Sequence, residues 1–492
     1  MTLIGFTGAI INVEVDISNG FPGWDIVGLP DMSIKESKER ISVALKNCGV
    51  SLLSKKYVIN LSPADIKKEG SKMDLAIAIG ILKELGVISQ TLFNNYLIVG
   101  EISLDGTIKP IVGTFAICME AKELGIKNII IPFDNFNELV SLDGINIYGI
   151  KSLSELINCG KIELRMLNKS ISNSKSTNTE CIDFKDIIGQ YDCKRGLEIA
   201  ASGGHNLRMI GPVGAGKTIL AKALVGILPD LNMDERLELN KIYSLANKRV
   251  ESGLVYNRPF RNPHYSITKM GLIGGGNNFQ IGEITLAHRG VLFLDELTEF
   301  KPKVLELLRS PIEDGFIVLS RGNYTITYPS RFMLICAMNP CSCGNLGSKY
   351  KQCTCSEKEI INYSRKISSP FLDRIDININ VQIVQKDEYM QKNAESTEEI
   401  KQRVNQAREI QKRRYTNDDI YCNAELNVGQ IKKYCILDDM SKDLLLEVIN
   451  SKQLSVRTYY KIIKIARTIA DIDNSESIKI EHIVEAIHYK NI

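Results

Sequence analysis

The sequence predicts an α/β protein with two successive α/β domains and a mainly helical segment at the end of the chain. Three observations predict this class. Residues 1–165 alternate strand-like with helix-like runs. A short apolar run then ends at the motif G-x-x-x-x-G-K-T, which begins at Gly211 and precedes a helix-like stretch. A second apolar run, 291–294, ends in an acidic pair. Short apolar strands that alternate with helices are typical of parallel sheets covered by helices.

The composition is that of a soluble globular protein. A chain of 492 residues, 44% hydrophobic and 24% charged, can bury the cores of two or three domains. The net charge of +3 is too small to indicate a nucleic-acid binder, so any such surface must be local. No run approaches the roughly 18 apolar residues of a membrane span, and the N-terminus lacks the basic start of a signal peptide. We therefore expect a cytoplasmic protein.

Four segments follow from the composition along the chain. Residues 1–165 form the first α/β domain, and residues 166–181, rich in Ser, Asn, Thr and Lys, form a linker. Residues 182–385 form the second domain, which contains both motifs, and residues 386–492 form the helical segment. The polar stretch 166–181 has too little apolar surface to pack. The linker therefore separates two domains that have cores of their own.

The motif at Gly211 predicts a phosphate-binding loop. Gly211, Gly214 and Gly216 let the backbone wrap around a triphosphate, so that N–H groups and the start of the following helix face its oxygens. Lys217 would bridge the β- and γ-phosphates, and Thr218 would hold Mg²⁺. The alternative is a glycine-rich turn that matches by chance. The flanking strand and helix disfavour that alternative, because they are the context that the motif requires.

The acidic pair after the second apolar run predicts the other half of a nucleotide site. Asp295 would hold the water shell of Mg²⁺, and Glu296 would polarise the attacking water. Alone, the pair is equally typical of a strand that meets a helix cap. Together with the phosphate loop, it predicts an ATPase that uses ATP and Mg²⁺.

Four of the twelve cysteines are clustered, as two C-x-C pairs separated by nine residues. They are Cys341, Cys343, Cys353 and Cys355. Four thiolates so placed can fold a short loop around a tetrahedral Zn²⁺ in a structural role. The alternatives are four reduced thiols or a labile disulfide. The other eight cysteines are scattered singly, which favours reduced thiols.

Two stretches of the first domain, 63–70 and 100–110, resemble the proteolytic domain of Lon-type proteases. The resemblance implies a nucleophilic serine two residues after Gly70 and a catalytic lysine on the helix after the second stretch. Lys72 stands at the first position, with Ser71 one place early, and Phe115 stands at the second. We therefore expect a Lon-like fold without proteolytic activity, although a displaced dyad stays an alternative.

The second domain resembles the magnesium-chelatase-like AAA+ family, in its competence-associated branch. The resemblance rests on five segments taken together, 258–264, 271–276, 282–290, 312–324 and 337–344, although their glycines alone are also typical of ordinary turns. It implies a parallel-sheet ATPase domain with a helical lid, assembled as a homo-hexamer. It also implies a branch-migration helicase that acts on single-stranded or branched DNA in transformation or recombination. The alternative is an ATPase that remodels a protein partner, as magnesium-chelatase ATPase subunits do.

The resemblance also implies roles for three residues of this chain. Asn339 matches the sensor that hydrogen-bonds the γ-phosphate or the attacking water. Arg374 matches the arginine finger, which completes the active site of a neighbouring subunit. Arg457 matches the second sensor. The alternatives are a turn cap for the asparagine and surface ion pairs for the arginines.

Residues 316–328 predict a β-hairpin, because two runs rich in β-forming residues flank a turn at Gly322-Asn323. The related minichromosome-maintenance helicases carry a hairpin here with a lysine near its tip, where this chain has Arg321. The resemblance therefore implies that Arg321 contacts DNA phosphates irrespective of sequence. The alternative is a hairpin that serves subunit contacts.

Overall fold

The computed structural model describes two compact units of the chain. The first contains Met1–Ser176, Met233–Tyr256 and Ser320–Thr327, and the second contains Thr177–Asn232, Asn257–Leu319 and Tyr328–Ile492. The described residues are 1–158, 165–166, 182–248, 253–276, 279–321, 324–348, 351–385, 388, 395–416, 418 and 420–490. Apart from its first residue, the predicted linker 166–181 lies outside them, as does the Gly322-Asn323 turn.

The elements follow one another as strands and helices of modest length. The strands are β1 Thr2–Ile4, β2 Thr7–Ala9, β3 Asn12–Ser18, β4 Gly23–Val27, β5 Lys56–Ser62, β6 Tyr96–Ile98, β7 Glu101–Ile102, β8 Ile108–Lys109, β9 Asn128–Pro132, β10 Asn146–Ile150, β11 Arg165–Met166, β12 Leu207–Ile210, β13 Phe260–Arg261, β14 Gly274–Gly275, β15 Gln280–Ile281, β16 Val291–Leu294, β17 Phe316–Arg321, β18 Tyr324–Pro329, β19 Met333–Met338 and β20 Ile377–Asn380. The helices are α1 Met32–Asn47, α2 Asp74–Glu84, α3 Thr114–Glu123, α4 Leu153–Ile157, α5 Tyr191–Gly203, α6 Lys217–Ile227, α7 Met233–Leu245, α8 Lys269–Ile273, α9 Glu283–Leu286, α10 Pro302–Leu305, α11 Arg309–Asp314, α12 Glu357–Ser364, α13 Ser369–Leu372, α14 Thr397–Arg414, α15 Val428–Tyr434, α16 Asp439–Lys452, α17 Val456–Ile472 and α18 Ile480–Lys490.

The first unit is built on two mixed sheets. One has the order β3-β5-β4, and the alternating burial of β5 places Tyr57, Ile59 and Leu61 in a core shared with α1 and α2. The other has the order β11-β10-β9-β6, with β6, β9 and β10 parallel. A second core, which includes Phe115 of α3 and Ile129 of β9, lies against this sheet. The predicted α/β character of this part of the chain is confirmed.

Helix α7 belongs to the first unit, although its sequence follows α6 directly. It packs on α3 through the ion pair between Lys241 and Glu120, both largely buried. The Ser244 hydroxyl also accepts a hydrogen bond of 3.2 Å from the Phe115 N–H at the start of α3. A short segment inside the predicted second domain therefore completes the core of the first unit.

The second unit contains a parallel five-stranded sheet in the order β13-β16-β19-β12-β20. Strands β16 and β19 are apolar and buried at every position, as expected of strands covered on both faces. Because all five strands are parallel, the loops that leave β12, β16 and β19 meet at one edge of the sheet. The predicted parallel-sheet domain is confirmed.

The end of the chain is helical, as the sequence predicts, and comprises α14 to α18. Helix α14 begins at a capping box in which Ser396 and Glu399 satisfy each other's backbone groups. Helix α17 is buried along most of its length and packs on α5, α14 and α18. Its buried Arg467 pairs with Asp471, which also binds Arg414 of α14. No helix in the described part of the chain is long and apolar enough to cross a membrane.

Candidate nucleotide-binding site

The phosphate loop joins β12 to α6 in a conformation that requires its glycines. Gly214 and Gly216 have φ angles of 82° and 91°, in the left-handed region that glycine adopts without steric cost. A Cβ at Gly211 would lie 2.2 Å from the carbonyl oxygen of Val381, so no side chain fits there. Helix α6 begins at Lys217, and the N–H groups of its first turn are therefore available to an anion.

The side chain of Lys217, the first residue of α6, lies inside this loop. Its Nζ donates hydrogen bonds to the carbonyl oxygens of Gly211 at 2.6 Å and Pro212 at 2.9 Å. It also donates to Oδ1 of Asn339 at 3.1 Å. Burial lowers the pKa of Lys217, and the nearby Asp295 carboxylate opposes that shift. The structure thus brings the predicted phosphate ligand and the predicted sensor into direct contact.

The acidic pair lies at the same edge of the sheet. Oδ2 of Asp295 accepts a hydrogen bond of 2.8 Å from the Thr218 hydroxyl, and its Oδ1 accepts one of 2.9 Å from the N–H of Glu296. A hydroxyl and a carboxylate side by side are oxygen donors of the kind that Mg²⁺ takes. Thr218 and Asp295 therefore fit the predicted magnesium site.

Glu296, the second residue after β16, adopts a left-handed conformation with φ of 51°. Such a conformation is uncommon for a residue with a side chain and is worth a functional explanation. The Glu296 side chain is exposed, while Leu297 and Thr298 beside it are buried. The turn therefore keeps this carboxylate at the solvent-facing edge of the sheet, where a water molecule can reach it.

The sheet order explains how Asn339 reaches Lys217. Asn339 directly follows β19, which lies between β12 and β16. The residue after the middle strand therefore stands between the phosphate loop on one side and the acidic pair on the other. This is the position that a γ-phosphate sensor requires, and the contact between Asn339 and Lys217 follows from it.

The two predicted arginines lie elsewhere in the second unit. Arg374 precedes β20, and its neighbour Asp376 donates its N–H to the carbonyl oxygen of Asn206 at 2.9 Å, just before β12 begins. Arg374 is therefore near the amino edge of the sheet, opposite the phosphate loop. Arg457, in the first turn of α17, binds the same carboxylate as Arg374, that of Glu313. Sequence reasoning missed Glu313, because it lies in the short helix α11 outside any nucleotide motif.

The four clustered cysteines converge, as their spacing predicts. Their sulfur atoms all lie within 4.8 Å of one another, and Sγ of Cys341 lies 3.4 Å from Cys343 and 3.7 Å from Cys353. The cluster follows Asn339 by two residues. A side chain at Gly344, inside the cluster, would meet Cγ2 of Val213 in the phosphate loop at 3.0 Å. The cysteine loop therefore packs against the nucleotide motifs.

The predicted hairpin is present as β17 and β18, which form a two-stranded sheet. Arg321 is the last residue of β17 and is exposed. Ser320–Thr327 belong to the first unit, where Ile326 is buried and would clash with any side chain at Gly5. The end of the hairpin, which carries Arg321, is therefore packed within the first unit.

In the first unit, the two positions that carry the serine and the lysine of the Lon dyad hold Lys72 and Phe115. The Ser71 hydroxyl donates to the carboxylate of Glu101. Lys72 has a lowered pKa because it is buried. Phe115 is 1% exposed and belongs to the core. The side chain at the expected lysine position is thus an apolar core residue with no amine to activate a nucleophile.

A parallel sheet with a phosphate loop after one strand, an asparagine in contact with that loop after the next and an acidic pair after the third defines a P-loop ATPase of the AAA+ class. Comparison with known families agrees. Residues 183–389 match the family described as magnesium chelatase, subunit ChlI, and residues 394–490 match its C-terminal family. Residues 13–135 match a family described as subunit ChlI of Mg-chelatase.

Individual relatives extend the match to the whole chain. The uncharacterized protein YifB of Salmonella typhimurium is 40% identical over 99% of this chain and 96% of its own length. Competence protein ComM of Haemophilus influenzae is 37% identical over the same shares. Lon protease 2 of Bacillus subtilis is 28% identical over 31% of this chain and 30% of its own length. The chain belongs to the magnesium-chelatase-like family that includes ComM and YifB.

Proposed function

We propose that this protein is an ATP-driven ring motor that acts on single-stranded or branched DNA in the cytoplasm, as a branch-migration helicase in transformation or recombination. One observation carries the proposal. The residues expected to serve one ATP lie in two groups at opposite edges of the sheet, which supports a site that a second copy completes. A relative matched over 96% of its length is a competence protein, which supports a role in handling incoming DNA.

Within one subunit, the phosphate-loop side binds and activates the triphosphate. Lys217 exchanges its carbonyl partners for phosphate oxygens, and the loop N–H groups add further donors. Thr218 and Asp295 would hold Mg²⁺, which would neutralise charge on the phosphates. Glu296 orients the attacking water and accepts its proton, while the Asn339 amide fixes the position of that water or of the γ-phosphate.

The other face of the subunit supplies cations to its neighbour. Arg374 and Arg457 lie together near the amino edge of the sheet, whereas their own phosphate loop lies at the carboxyl edge. A head-to-tail contact between identical subunits brings one face to the other, and such contacts form a ring when the rotation between neighbours closes. We propose a homo-hexamer on this basis, with Arg374 as the arginine finger and Arg457 as the second sensor.

Arg321 tests the DNA part of the proposal. An Arg321→Ala protein is expected to bind single-stranded DNA more weakly irrespective of sequence, and to lose the stimulation of ATP hydrolysis by DNA. Removing one cation that neutralises a phosphate lowers the slope of log affinity against log salt by about 0.7 for a single strand. The measurements are DNA binding between low and moderate salt and ATP hydrolysis with and without DNA.

Lys38→Ala is the matched control, because Lys38 is another exposed cation of the first unit, on α1. It should leave both readouts unchanged, and the DNA-free ATPase rate should stay intact in both variants. Unchanged DNA stimulation in Arg321→Ala would favour the second candidate function, the remodelling of a protein partner. The match of residues 183–389 to a magnesium-chelatase subunit supports that candidate.

We also propose that the cysteine cluster holds a structural Zn²⁺. Zinc–sulfur bonds of about 2.3 Å in a tetrahedron place the sulfurs about 3.8 Å apart, and disulfides place them about 2.05 Å apart. The separations among Cys341, Cys343 and Cys353, 3.4 Å, 3.6 Å and 3.7 Å, fit the first arrangement, and the sulfur of Cys355 lies within 4.8 Å of the other three. Four thiolates leave no open position for chemistry, so the ion would fix the loop between Asn339 and α12.

Metal analysis of freshly purified, reduced protein is expected to find about one zinc per chain. The double variant Cys343→Ser/Cys353→Ser should lose it and melt at a lower temperature. Cys48→Ser, at a partly exposed cysteine outside the cluster, should keep both the zinc and the melting temperature. Freshly purified, reduced wild-type protein without zinc would contradict the proposal, as would a double variant that melts at the wild-type temperature.

The first unit is proposed to serve as a scaffold or a DNA-facing accessory, without peptidase activity. The apolar Phe115 at the position of the Lon lysine supports this role, as does the hydrogen bond between Ser71 and a carboxylate. Both the anchored end of the hairpin and α7 belong to this unit, so the candidate DNA contact at Arg321 is part of it.

A further inference from the structure

One carboxylate in the second unit binds both predicted arginines at once. Oε2 of Glu313 accepts a hydrogen bond of 2.9 Å from Nη2 of Arg374. Oε1 of the same carboxylate accepts one from Nη2 of Arg457. Glu313 lies near the end of α11, so three separate elements meet at this carboxylate. Each oxygen atom of the carboxylate therefore accepts a hydrogen bond from a different guanidinium.

The two arginines differ in how firmly they are held. Arg374 is only 9% exposed and also donates to the carbonyl oxygens of Pro370 at 2.5 Å and Arg309 at 3.3 Å. Arg457 is 43% exposed, and Glu313 is 41% exposed. Backbone carbonyls therefore fix Arg374, whereas Arg457 depends on Glu313 and stands close to water.

The base of α17 is anchored independently of Glu313. Lys461, one turn after Arg457, forms an ion pair of 2.8 Å with Asp376 and donates to the carbonyl oxygen of Ile375 at 3.2 Å. A partly exposed ion pair contributes little to the free energy of folding, so the fold has little need of the contact between Glu313 and Arg457. Glu313 is shared between the two arginines, while Arg374 is also influenced by the charges of Glu306, Asp373 and Arg309.

We propose that Glu313 is a positioning residue that holds Arg374 and Arg457 side by side and competes with the phosphates of ATP for Arg457. This inference rests on the proposed function, in which both arginines serve the nucleotide of a neighbouring subunit. When that nucleotide arrives, Arg457 leaves the carboxylate for a phosphate oxygen, while the backbone carbonyls keep Arg374 in place. Glu313 thereby weakens ATP binding in the assembled protein, because Arg457 gives up this ion pair when it reaches the neighbour's phosphate.

The test is a double-mutant cycle on the full-length, assembled protein. Glu313→Gln keeps the shape and a hydrogen-bond acceptor but removes the charge, and Glu313→Ala removes both. Each is combined with Arg457→Ala, and the dissociation constant for ATP is measured by calorimetry beside the melting temperature. Asp230→Asn is the matched control, since Asp230 forms a surface ion pair of 2.8 Å with Lys401 in the same unit.

Glu313→Gln is expected to bind ATP about two- to fivefold more tightly, the range set by a partly exposed ion pair. In the Arg457→Ala background, the same change should leave ATP affinity unaltered, and Asp230→Asn should do so in either background. Unchanged or weaker binding by Glu313→Gln with a normal melting temperature would overturn the inference. So would equal tightening in the absence of Arg457.

The proposed function fails in a different way. If the wild type neither binds nor hydrolyses ATP, or if Lys217→Ala binds ATP normally, the nucleotide site itself is wrongly assigned. If the wild type behaves as proposed and only the cycle fails, the ATPase stands and Glu313 is a structural ion pair.

Discussion

A Glu296→Gln protein is expected to bind ATP as the wild type does and to hydrolyse it on the order of 10²- to 10⁴-fold more slowly, the usual contribution of a general base. The amide has the same shape as the carboxylate but cannot accept the proton of the attacking water. Glu296 is exposed and lies outside the contact between Thr218 and Asp295, so its replacement leaves the phosphate and magnesium ligands in place. Calorimetry measures binding, and phosphate release measures the rate.

Lys217→Ala should fail at the earlier step. Its amine is the group that faces the loop carbonyls and Asn339, and no other lysine of the loop replaces it. We therefore expect loss of ATP binding as well as hydrolysis.

The control for Glu296→Gln is Glu299→Gln, because Glu299 is a carboxylate of the same turn as Glu296 and pairs with Lys366 at 3.3 Å. Wild-type turnover by Glu296→Gln would show that the catalytic base is another residue.

The nucleotide motifs could be predicted because each is local in sequence. The phosphate loop and the acidic pair each consist of an apolar strand followed by a few polar residues, so strand, turn and side chain are specified together. The four cysteines were predictable for the same reason, since their spacing closes a short loop. In all three cases the structure brings together the groups that the spacing predicts.

The arrangement between the motifs could not be predicted from such patterns. The contact of Asn339 with Lys217 depends on β19 pairing with β12, a choice set by packing between strands far apart in the chain. The place of α7 depends on Ser244 and Lys241, which are ordinary polar residues in its sequence. Glu313 is a similar case, because only the folded chain brings it to both arginines.

The separation of these arginines from the phosphate loop leads to the second strong expectation, that the ATPase site is shared between subunits. Arg374→Ala should hydrolyse ATP on the order of 10³-fold more slowly, as expected for an arginine finger supplied by a neighbour. Because its own Lys217, Thr218 and Asp295 are intact, it should still bind ATP. Its melting temperature must be checked, since Arg374 is largely buried and ties α11 to the turn before β20.

Mixing Arg374→Ala subunits with Lys217→Ala subunits decides whether the ATPase site is shared between subunits or complete within one. An Arg374→Ala subunit retains a complete phosphate loop, and a Lys217→Ala subunit retains the finger that its neighbour needs. Random assembly of equal amounts places the productive pair at about one interface in four, so about a quarter of the wild-type rate should return. A subunit that carries both changes offers neither group and should restore nothing when mixed with either single variant. A wild-type protein that stays monomeric at full activity, or mixtures that stay inactive although the subunits co-assemble, would show that Arg374 acts within its own chain or only supports the fold.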